Sequence, residues 1–260
     1  MVLVCRFLLQ KLPGMAKKFC QANLGWWYTY YMSKKITFTN EFNLNFFPPK
    51  PAVKEVPDWY KNTPEYISDH GRKYINNDKP HTIKKCMPIF DAITAGYILY
   101  TQVDVQIYAG DDGLPVYSWP SQSAIDFHLI VQAPLHPLKN EAPYPRWNNP
   151  YTITTPPGYS VLLTQPMHRE SVFTIFDGVV DTDKYKAKVN FPFVLNDIKW
   201  EGIIPAGTPM AQVIPFKRES WEHEIGSDKE RLESNKVIAK LTTLLHNSYK
   251  RQFWSSKQYK

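Results

Sequence analysis

Short hydrophobic runs, each bounded by turn-forming residues, dominate the chain between Tyr151 and Phe216. The region opens with YTITTPPGYSVLLTQP, continues through FTIFDGVVDTDKYKAKVNFPFVL and closes with EGIIPAGTPMAQVIPF. The runs are rich in β-branched residues and are separated by Gly, Pro, Asn or Asp, which is typical of antiparallel strands joined by tight turns. The pattern therefore predicts a compact unit built mainly of β-strands.

The stretch before this unit carries a similar signal, beginning at about Thr82. The sequence VDVQI at residues 103–107 alternates apolar and polar side chains, which is the period of a half-buried strand. Residues 109–115 (AGDDGLP) predict a turn, and residues 125–133 predict a further strand. The Pro-rich run 134–150 predicts a long loop, which is either a lid over a site or an arm that packs on a neighbour.

The N-terminal stretch differs in character from the β unit. Residues 1–31 lack a helical period, a cap or a cleavage pattern, and the apolar run Val2–Leu9 is too short to span a membrane. An ordinary soluble sequence begins at Met32, so we expect residues 1–31 to be a non-native or disordered extension whose deletion leaves the fold intact. A helix lying on a membrane surface is the alternative.

Residues 32–79 form an arm that is rich in Pro and aromatic residues. The spacing of the prolines excludes a long helix or a central strand before Pro57, so this segment is expected to lie extended along the β unit. Trp59 and Tyr60 would then anchor it. Thr63 can cap a helix and Pro suits its first position, which predicts one short helix over Pro64–Asn76.

The C-terminal segment, residues 221–260, predicts a helix followed by a basic tail. Ser227 and Glu230 have the spacing of a capping box. The apolar residues that follow recur at helical spacing on one face: Val237, Ile238, Leu241, Leu244 and Leu245. We expect a helix of about five turns, whose apolar face is covered by the β unit or by another subunit.

The net charge of +7 is concentrated at the two ends of the chain. Residues 37–225 hold 17 basic and 21 acidic residues, so the body is mildly acidic and specific nucleic-acid binding is not expected. The chain has three Cys, of which Cys86 alone lies in the body. One Cys forms neither a disulfide framework nor a zinc site, which favours a reducing, cytoplasmic setting.

Four stretches resemble the motifs of a known family, in the same order along the chain. They are DAITAGYILYTQVDVQI (Asp91–Ile107), PPGYSVLLTQPMHRES (Pro156–Ser171), GVVDTDKYKA and AGTPMAQVIP. Together they are similar to the superfamily of dUTP pyrophosphatases and dCTP deaminases, which implies a β-clip fold for residues 80–220, with residues 108–150 as an inserted loop. The whole chain also resembles a family of uncharacterised phage and bacterial proteins.

The resemblance implies a ligand site, whose candidate residues are Arg169, Ser171, Asp181, Asp183, Tyr185 and Gln212. Asp181 matches the third-motif Asp, which in the family works with a Tyr on the deoxyribose and the attacking water, and it is a weak catalytic candidate. Gln212 matches the fourth-motif Gln, and Arg169 with Ser171 lies nearest to the phosphate-binding motif. Mg²⁺ would take part only in a nucleotide hydrolase, since it bridges polyphosphate oxygens.

The sequence departs from the family pattern at three places. Ile98 stands where the first motif would supply a metal-binding Asp, Lys184 precedes Tyr185 as an extra residue, and Ala187 replaces a Gly. The alternative interpretation of DTDK at 181–184 is a polar turn that binds no ligand.

Other residues of chemical interest favour structural roles. His168, Arg169 and Glu170 predict an exposed hairpin tip. The His residues form no metal-binding pair. His128 is expected to be a core residue whose hydrogen bonds are satisfied or a strand residue that faces outward. Cys86 shows no helix N-terminus beside it that would mark a nucleophile.

The sequence favours a mainly β, β-clip-like antiparallel domain with a Pro-rich arm before it and a helix after it. The predicted function is noncatalytic: a phage-type or bacterial accessory protein that uses this scaffold for assembly or ligand binding, in the host cytoplasm or a virion. The alternative is a diverged nucleotide-binding enzyme. We expect a homo-oligomer, with the trimer common in the resembled family as one form, and a nucleotide or virion protein as partner. Convergence of Asp181, Asp183, Arg169 and Gln212 in one pocket would favour the enzyme.

Overall fold

The chain divides into two units in the computed structural model. The structure describes residues 34–40, 47–67, 81–120, 124–132, 136–138, 143–243 and 248–260. Of the first unit, Met1–Ile36, only residues 34–36 are described, and they lie in neither a helix nor a strand. The second unit, Thr37–Lys260, holds the elements given below. The expectation for residues 1–31 therefore lies outside the described residues.

Strands are the main elements of the described residues. They are β1 (Thr37–Asn40), β2 (Lys50–Pro51), β3 (Tyr97–Tyr100), β4 (Val105–Ala109), β5 (Pro115–Ser118), β6 (Ile125–His128), β7 (Tyr144–Trp147), β8 (Tyr151–Thr154), β9 (Tyr159–Thr164), β10 (Phe173–Ile175), β11 (Gly178–Val180), β12 (Phe191–Leu195), β13 (Gly202–Ile204) and β14 (Pro209–Lys217). The α-helices are α1 (Asp58–Asn62), α2 (Met87–Thr94), α3 (Asp228–Thr243) and α4 (Ser248–Gln252). Short 3₁₀ turns lie at Ala52–Lys54, Ile83–Lys85 and Ile130–Gln132.

The strands pair in four sheets within the described ranges. A five-stranded sheet has the order β11-β9-β14-β3-β2, a four-stranded sheet the order β10-β12-β7-β6, and a three-stranded sheet the order β13-β4-β5, while β1 pairs with β8. The strand pairs are antiparallel. The prediction of a mainly β, antiparallel protein with a C-terminal helix is confirmed.

The centre of the five-stranded sheet is β14, which pairs with β9 on one side and β3 on the other. Its residues 210–213 are buried, as are Val161 and Leu163 of β9. In the three-stranded sheet, the central strand β4 shows the alternation expected from the sequence, because Val105 and Ile107 are buried and Gln106 is exposed.

A second cluster of buried rings lies on the four-stranded sheet. Trp147 of β7 stacks on Phe193 of β12 with ring centroids 4.7 Å apart, and Phe173 of β10 packs against both. Tyr117 of β5 contacts Phe193 from the three-stranded sheet. These aromatic contacts bury large apolar areas, which makes this cluster a major part of the core.

Three local predictions are corrected by the structure. The β signal was expected from about Thr82, but residues 83–94 form a 3₁₀ turn and helix α2, because Pro88 lies in the first turn of α2, where proline suits a helix. The predicted long loop contains strand β7, whose residues are mostly buried. Thr63 is the C-cap of α1 rather than the N-cap of a new helix, and residues 64–67 are not helical, because Pro64 O and Glu65 O accept hydrogen bonds from Thr82 instead of from a following helical turn. Residues 68–76 of the predicted helix lie outside the described residues.

The C-terminal helix α3 begins at the predicted capping box. The backbone N–H of Ser227 donates to Glu230 Oε2 at 2.9 Å, and the Ser227 hydroxyl donates to the same oxygen. The helix is 16 residues long. Leu244 and Leu245 of the predicted apolar face lie outside the described residues. None of the helices in the described ranges combines the length and apolar character needed to cross a membrane.

Candidate functional site

The two predicted acidic candidates lie on the turn that follows β11. The backbone N–H groups of Lys184 and Tyr185 donate to Asp181 O at 2.9 and 2.8 Å, which closes the turn. The Asp181 and Asp183 carboxylates both reach Arg218, which lies on a neighbouring segment. The predicted polar turn is therefore present, whereas Arg169 and Gln212 do not join Asp181 and Asp183 there, so the four residues do not converge in one pocket.

Asp183 is the better-enclosed carboxylate, with a side chain only 7% exposed. The Arg218 guanidinium binds it in a bidentate manner, at 2.8 Å from Nη1 to Oδ1 and 2.5 Å from Nη2 to Oδ2. The Gly158 backbone N–H donates to Oδ2 at 2.8 Å. This paired geometry is the strong form of an Arg–carboxylate interaction.

Asp181 completes the same network from a more exposed position. The Ser160 hydroxyl donates to Asp181 Oδ1 at 2.6 Å, and Arg218 Nη1 lies 3.1 Å from that oxygen. Arg218 Nη1 also donates to Ser160 Oγ at 3.0 Å and to Tyr159 O at 3.1 Å. Asp181, Asp183, Ser160 and Arg218, hereafter the carboxylate network, thus join three segments that are distant in sequence.

The elements around the network bring these groups together. Arg218 directly follows β14, and its backbone N–H donates to Gly158 O at 2.9 Å. Gly158 has φ +82°, a left-handed conformation that glycine adopts without strain. Beside the network, the Thr155 and Thr182 hydroxyls lie 2.7 Å apart in a buried hydrogen bond. Arg218 and Ser160 carry no local sequence signal of this role, since β14–β9 pairing brings them to the turn.

The network keeps both carboxyl groups ionised. The hydrogen bond from Arg218, aided by the Gly158 amide, holds the pKa of Asp183 well below its ordinary value. The Ser160 hydroxyl, followed by the Arg218 charge, lowers the pKa of Asp181. The bond to Asp183 raises the pKa of Arg218. A carboxylate with a lowered pKa is a weak general base, so this arrangement suits an ion pair better than water activation.

Tyr185 points to a separate open cleft beside the turn. Its side chain is half exposed, with the hydroxyl 3.5 Å from Lys188 O. The cleft has a volume of about 450 Å³ and is lined by His128, Arg146, Val180, Tyr185, Lys188, Val189 and Asn190. Arg146 donates to Asp126 Oδ2 at 3.1 Å, and its Nη1 lies 3.5 Å from His128 Nε2. The cleft thus presents cationic and amide groups of the kind that bind anions.

Gln212 lies away from both places and is fully buried in β14. Its Oε1 accepts from Met167 N at 2.9 Å, while its Nε2 donates to Ala92 O at 2.9 Å and to Ala95 O at 2.7 Å. These bonds tie the end of helix α2 and the turn after β9 to the central strand. The amide therefore has a structural role at this position.

Arg169 and Ser171 occupy a third place. The Arg169 guanidinium donates to Glu55 O of the N-terminal arm, and burial lowers its pKa. Arg169 is therefore partly enclosed, because its side chain turns towards the arm rather than lying at an exposed hairpin tip as predicted. Ser171 closes a local turn, with its hydroxyl 2.7 Å from Phe173 O.

The arm is held beside Arg169 by its predicted anchors. Trp59 Nε1 donates to His168 O at 2.7 Å, and Tyr60 is buried.

The first-motif position Ile98 is fully buried in β3, in a core cluster with Ala52 and Tyr100. Cys86 directly precedes helix α2, which corrects the expectation that no helix N-terminus adjoins it. Throughout the described part of the chain, no group of three or more His, Cys, Asp or Glu side chains is placed to hold a metal ion.

The structure thus divides the six predicted site residues among separate places. Asp181 and Asp183 share the carboxylate network, Tyr185 lines the adjacent cleft, Gln212 is within the core, and Arg169 and Ser171 lie on the stretch after β9. The fold and these groups define a mainly β protein built on antiparallel sheets. No protein-family model matches the chain, and a comparison with curated proteins finds no significant match.

Proposed function

We propose that this chain is a noncatalytic accessory protein of phage or bacterial type, which uses its β scaffold for assembly or ligand binding. The observation that carries the proposal is the dispersal of the candidate site. The residues that a nucleotide-hydrolysing site of the resembled family would bring together lie in separate places, and most of them bind the scaffold itself.

The internal bonds of these residues support a structural role for each group. Asp183 is paired with Arg218 and a backbone amide, and Gln212 binds three backbone groups. Ile98 is buried where the family pattern has a metal-binding Asp. A hydrolase of that kind needs carboxylates that are free to bind Mg²⁺ and water, so this arrangement favours a scaffold.

Exposed apolar side chains in the C-terminal segment support assembly. Trp221 is 85% exposed, Ile225 is 93% exposed and Leu232 is 59% exposed. These three side chains lie within residues 221–232, and exposed apolar groups that form a contiguous patch are typical of protein interfaces. We therefore propose that the chain self-associates in the host cytoplasm or in a virion, with a trimer as one form and a virion protein as a further partner.

Light scattering at micromolar concentration tests the self-association. We expect a mass that is a multiple of the 30.3 kDa of one chain. A single-chain mass across the concentration range would contradict assembly from identical copies.

The open cleft favours the second candidate function, nucleotide binding. Arg146 and Lys188 line it beside Tyr185, and such groups bind phosphate oxygens. A thermal-shift screen with nucleotides, with and without Mg²⁺, tests this candidate. A ligand at 100 times its Kd stabilises a protein by about 2.7 kcal/mol, which is a shift of about 5–11 °C for a domain of this size.

Two matched variants test whether a thermal shift arises from binding in the cleft. Arg146→Gln removes a cleft cation, whereas Arg231→Gln removes a cation of the exposed helix α3 as a control. Nucleotide binding in the cleft predicts a shift that is lost in Arg146→Gln and kept in Arg231→Gln. The noncatalytic assembly proposal predicts no shift from the nucleotide and metal panel in either variant or in the wild type.

A further inference from the structure

The last residues of the chain return to the β body and bind a defined place on helix α2. Trp254 Nε1 donates to Asp91 Oδ2 at 2.9 Å and lies 3.1 Å from Oδ1. Lys257 Nζ forms an ion pair with the same carboxylate at 2.6 Å. One acidic side chain thus accepts from two tail residues, which makes Asp91 the centre of a docking site.

Tyr97 extends the docking site along strand β3. Its hydroxyl donates to Lys260 O at 3.3 Å, and its ring meets the Tyr259 ring edge to face at 6.0 Å. The Trp254 ring is also flanked by the Lys250 and Lys257 ammonium groups, 5.9 and 5.7 Å from its centroid. The tail is therefore held by hydrogen bonds, an ion pair and aromatic contacts together.

The segment that connects the body to this tail is exposed. Residues 219–239 are exposed at every position, and residues 219–226 lie in neither a helix nor a strand. The segment starts directly after Arg218, which the carboxylate network holds on the body. Eight extended residues span up to about 28 Å, so residues 219–226 have the length that a hinge between two copies needs.

Helix α3 leaves apolar side chains exposed. Leu232 and Val237 are among its exposed apolar side chains. In proteins most of the stability of a helix comes from packing of its apolar face.

The charges of α3 favour a second copy as the partner. Its first half, residues 228–235, holds three acidic and two basic side chains and has a net charge of −1, whereas its second half, residues 236–243, holds Lys236 and Lys240 and has a net charge of +2. Two copies packed antiparallel would place the half of net negative charge against the half of net positive charge, which is a two-fold and self-complementary arrangement.

We propose that the C-terminal arm, residues 219–260, is exchanged between two copies of this chain. Each tail occupies the Asp91 and Tyr97 site of the other copy, and the two α3 helices pack antiparallel between the bodies. Exchange keeps every tail contact, because the same groups meet in the same site, and it adds burial of the exposed arm. The inference rests on the proposed self-association and assigns it a partner, two docking sites and a hinge.

Two complementary variants test the exchange in the full chain. Lys257→Gln removes the amino group of the tail, and Asp91→Asn removes the carboxylate of the docking site. When the two variants are co-expressed, an intact Lys257–Asp91 pair can form only between different chains. A carbodiimide joins an amine directly to a carboxylate in contact, so it reports this pair with no added spacer.

We expect the co-expressed variants to give a covalent dimer whose digest contains the tail peptide joined at Lys257 to Asp91. Each variant expressed alone should lack this joined peptide. For the wild-type chain, which does not depend on the folding of a variant, we expect the same peptide in the dimer band of a denaturing gel. Finding it only in the band of a single chain, or not at all, would overturn the exchange.

Light scattering on the same wild-type sample separates the two proposals. A mass of two or more chains with the Lys257–Asp91 bond confined to single chains leaves self-association standing and overturns arm exchange. A single-chain mass overturns both. A two-chain mass with the bond between chains supports both.

Discussion

Replacing Gln212 by Ala tests whether this residue supports the fold or binds a ligand. The side chain is fully buried, and its amide makes three hydrogen bonds, to Met167 N, Ala92 O and Ala95 O. A typical hydrogen bond contributes a net stabilisation of about 1 kcal/mol, and a buried group left without a partner costs more. Ala92 and Ala95 are half-buried positions at the end of α2, so water can replace only part of the lost hydrogen bonding.

We therefore expect Gln212→Ala to lower the free energy of unfolding by about 3 kcal/mol, with one hydrogen bond contributing about 1 kcal/mol. For a domain of this size the melting temperature should fall by about 6–12 °C. Urea unfolding should give the same loss through a lower midpoint and an unchanged slope. Gln106→Ala is the matched control, because Gln106 lies on strand β4 with an exposed side chain, and it should change stability by less than about 0.5 kcal/mol.

Gln212→Glu adds a pH signature to the same test. A buried Glu accepts from Met167 N but lacks the two N–H donors, and burial disfavours its charged form. Its pKa should rise in the folded state, so the variant should be most stable at acidic pH and lose stability as pH rises above about 4.3. If Gln212→Ala keeps the wild-type melting temperature within about 2 °C, less than 1 kcal/mol, the structural assignment is wrong and a ligand-binding role regains support.

Three further predictions follow from the network and the core. The lowered pKa of Asp183 gives stability that is present above the ordinary Asp value of 3.8 and is lost as pH falls through the folded pKa. In thermal melts from pH 6 to pH 2, the melting temperature should therefore fall less in Asp183→Asn than in the wild type. An equal fall of melting temperature with pH in both proteins would contradict this. Ile98→Asp should bury a carboxylate and lower the free energy of unfolding far more than Ile98→Val, which should cost about 1 kcal/mol. Metal-dependent stabilisation of the Asp variant would refute the structural role of Ile98. Gly96→Ala places a Cβ 1.9 Å from Val213 O at φ +67°, whereas Gly158→Ala at φ +82° meets open space. The first substitution should therefore unfold the protein, and the second should cost only about 1 kcal/mol of left-handed strain. Similar denaturation midpoints of the two variants would contradict the close approach of Gly96 to β14.

Several elements of the fold were predictable because their signals are local. The β-branched runs between turn residues identified the strands from 151 to 216, and the alternation at 103–107 identified the buried face of β4. The capping box at Ser227 located the start of α3. Such signals act within a few residues, through steric preference and the alternation of side chains along a strand.

Other features depended on contacts that no local pattern encodes. Arg218 meets Asp183 across 35 residues, and Trp254 meets Asp91 across 163 residues. Gln212 matches a motif in sequence, yet strand pairing places it in the core, where its side-chain amide forms hydrogen bonds to three backbone groups. The sequence alone determined many of the strands and the start of α3, because those choices are made by neighbouring residues, whereas helix α2 and strand β7 were missed. Only the tertiary structure decided which charged groups meet, because that depends on strand register and on packing between distant segments.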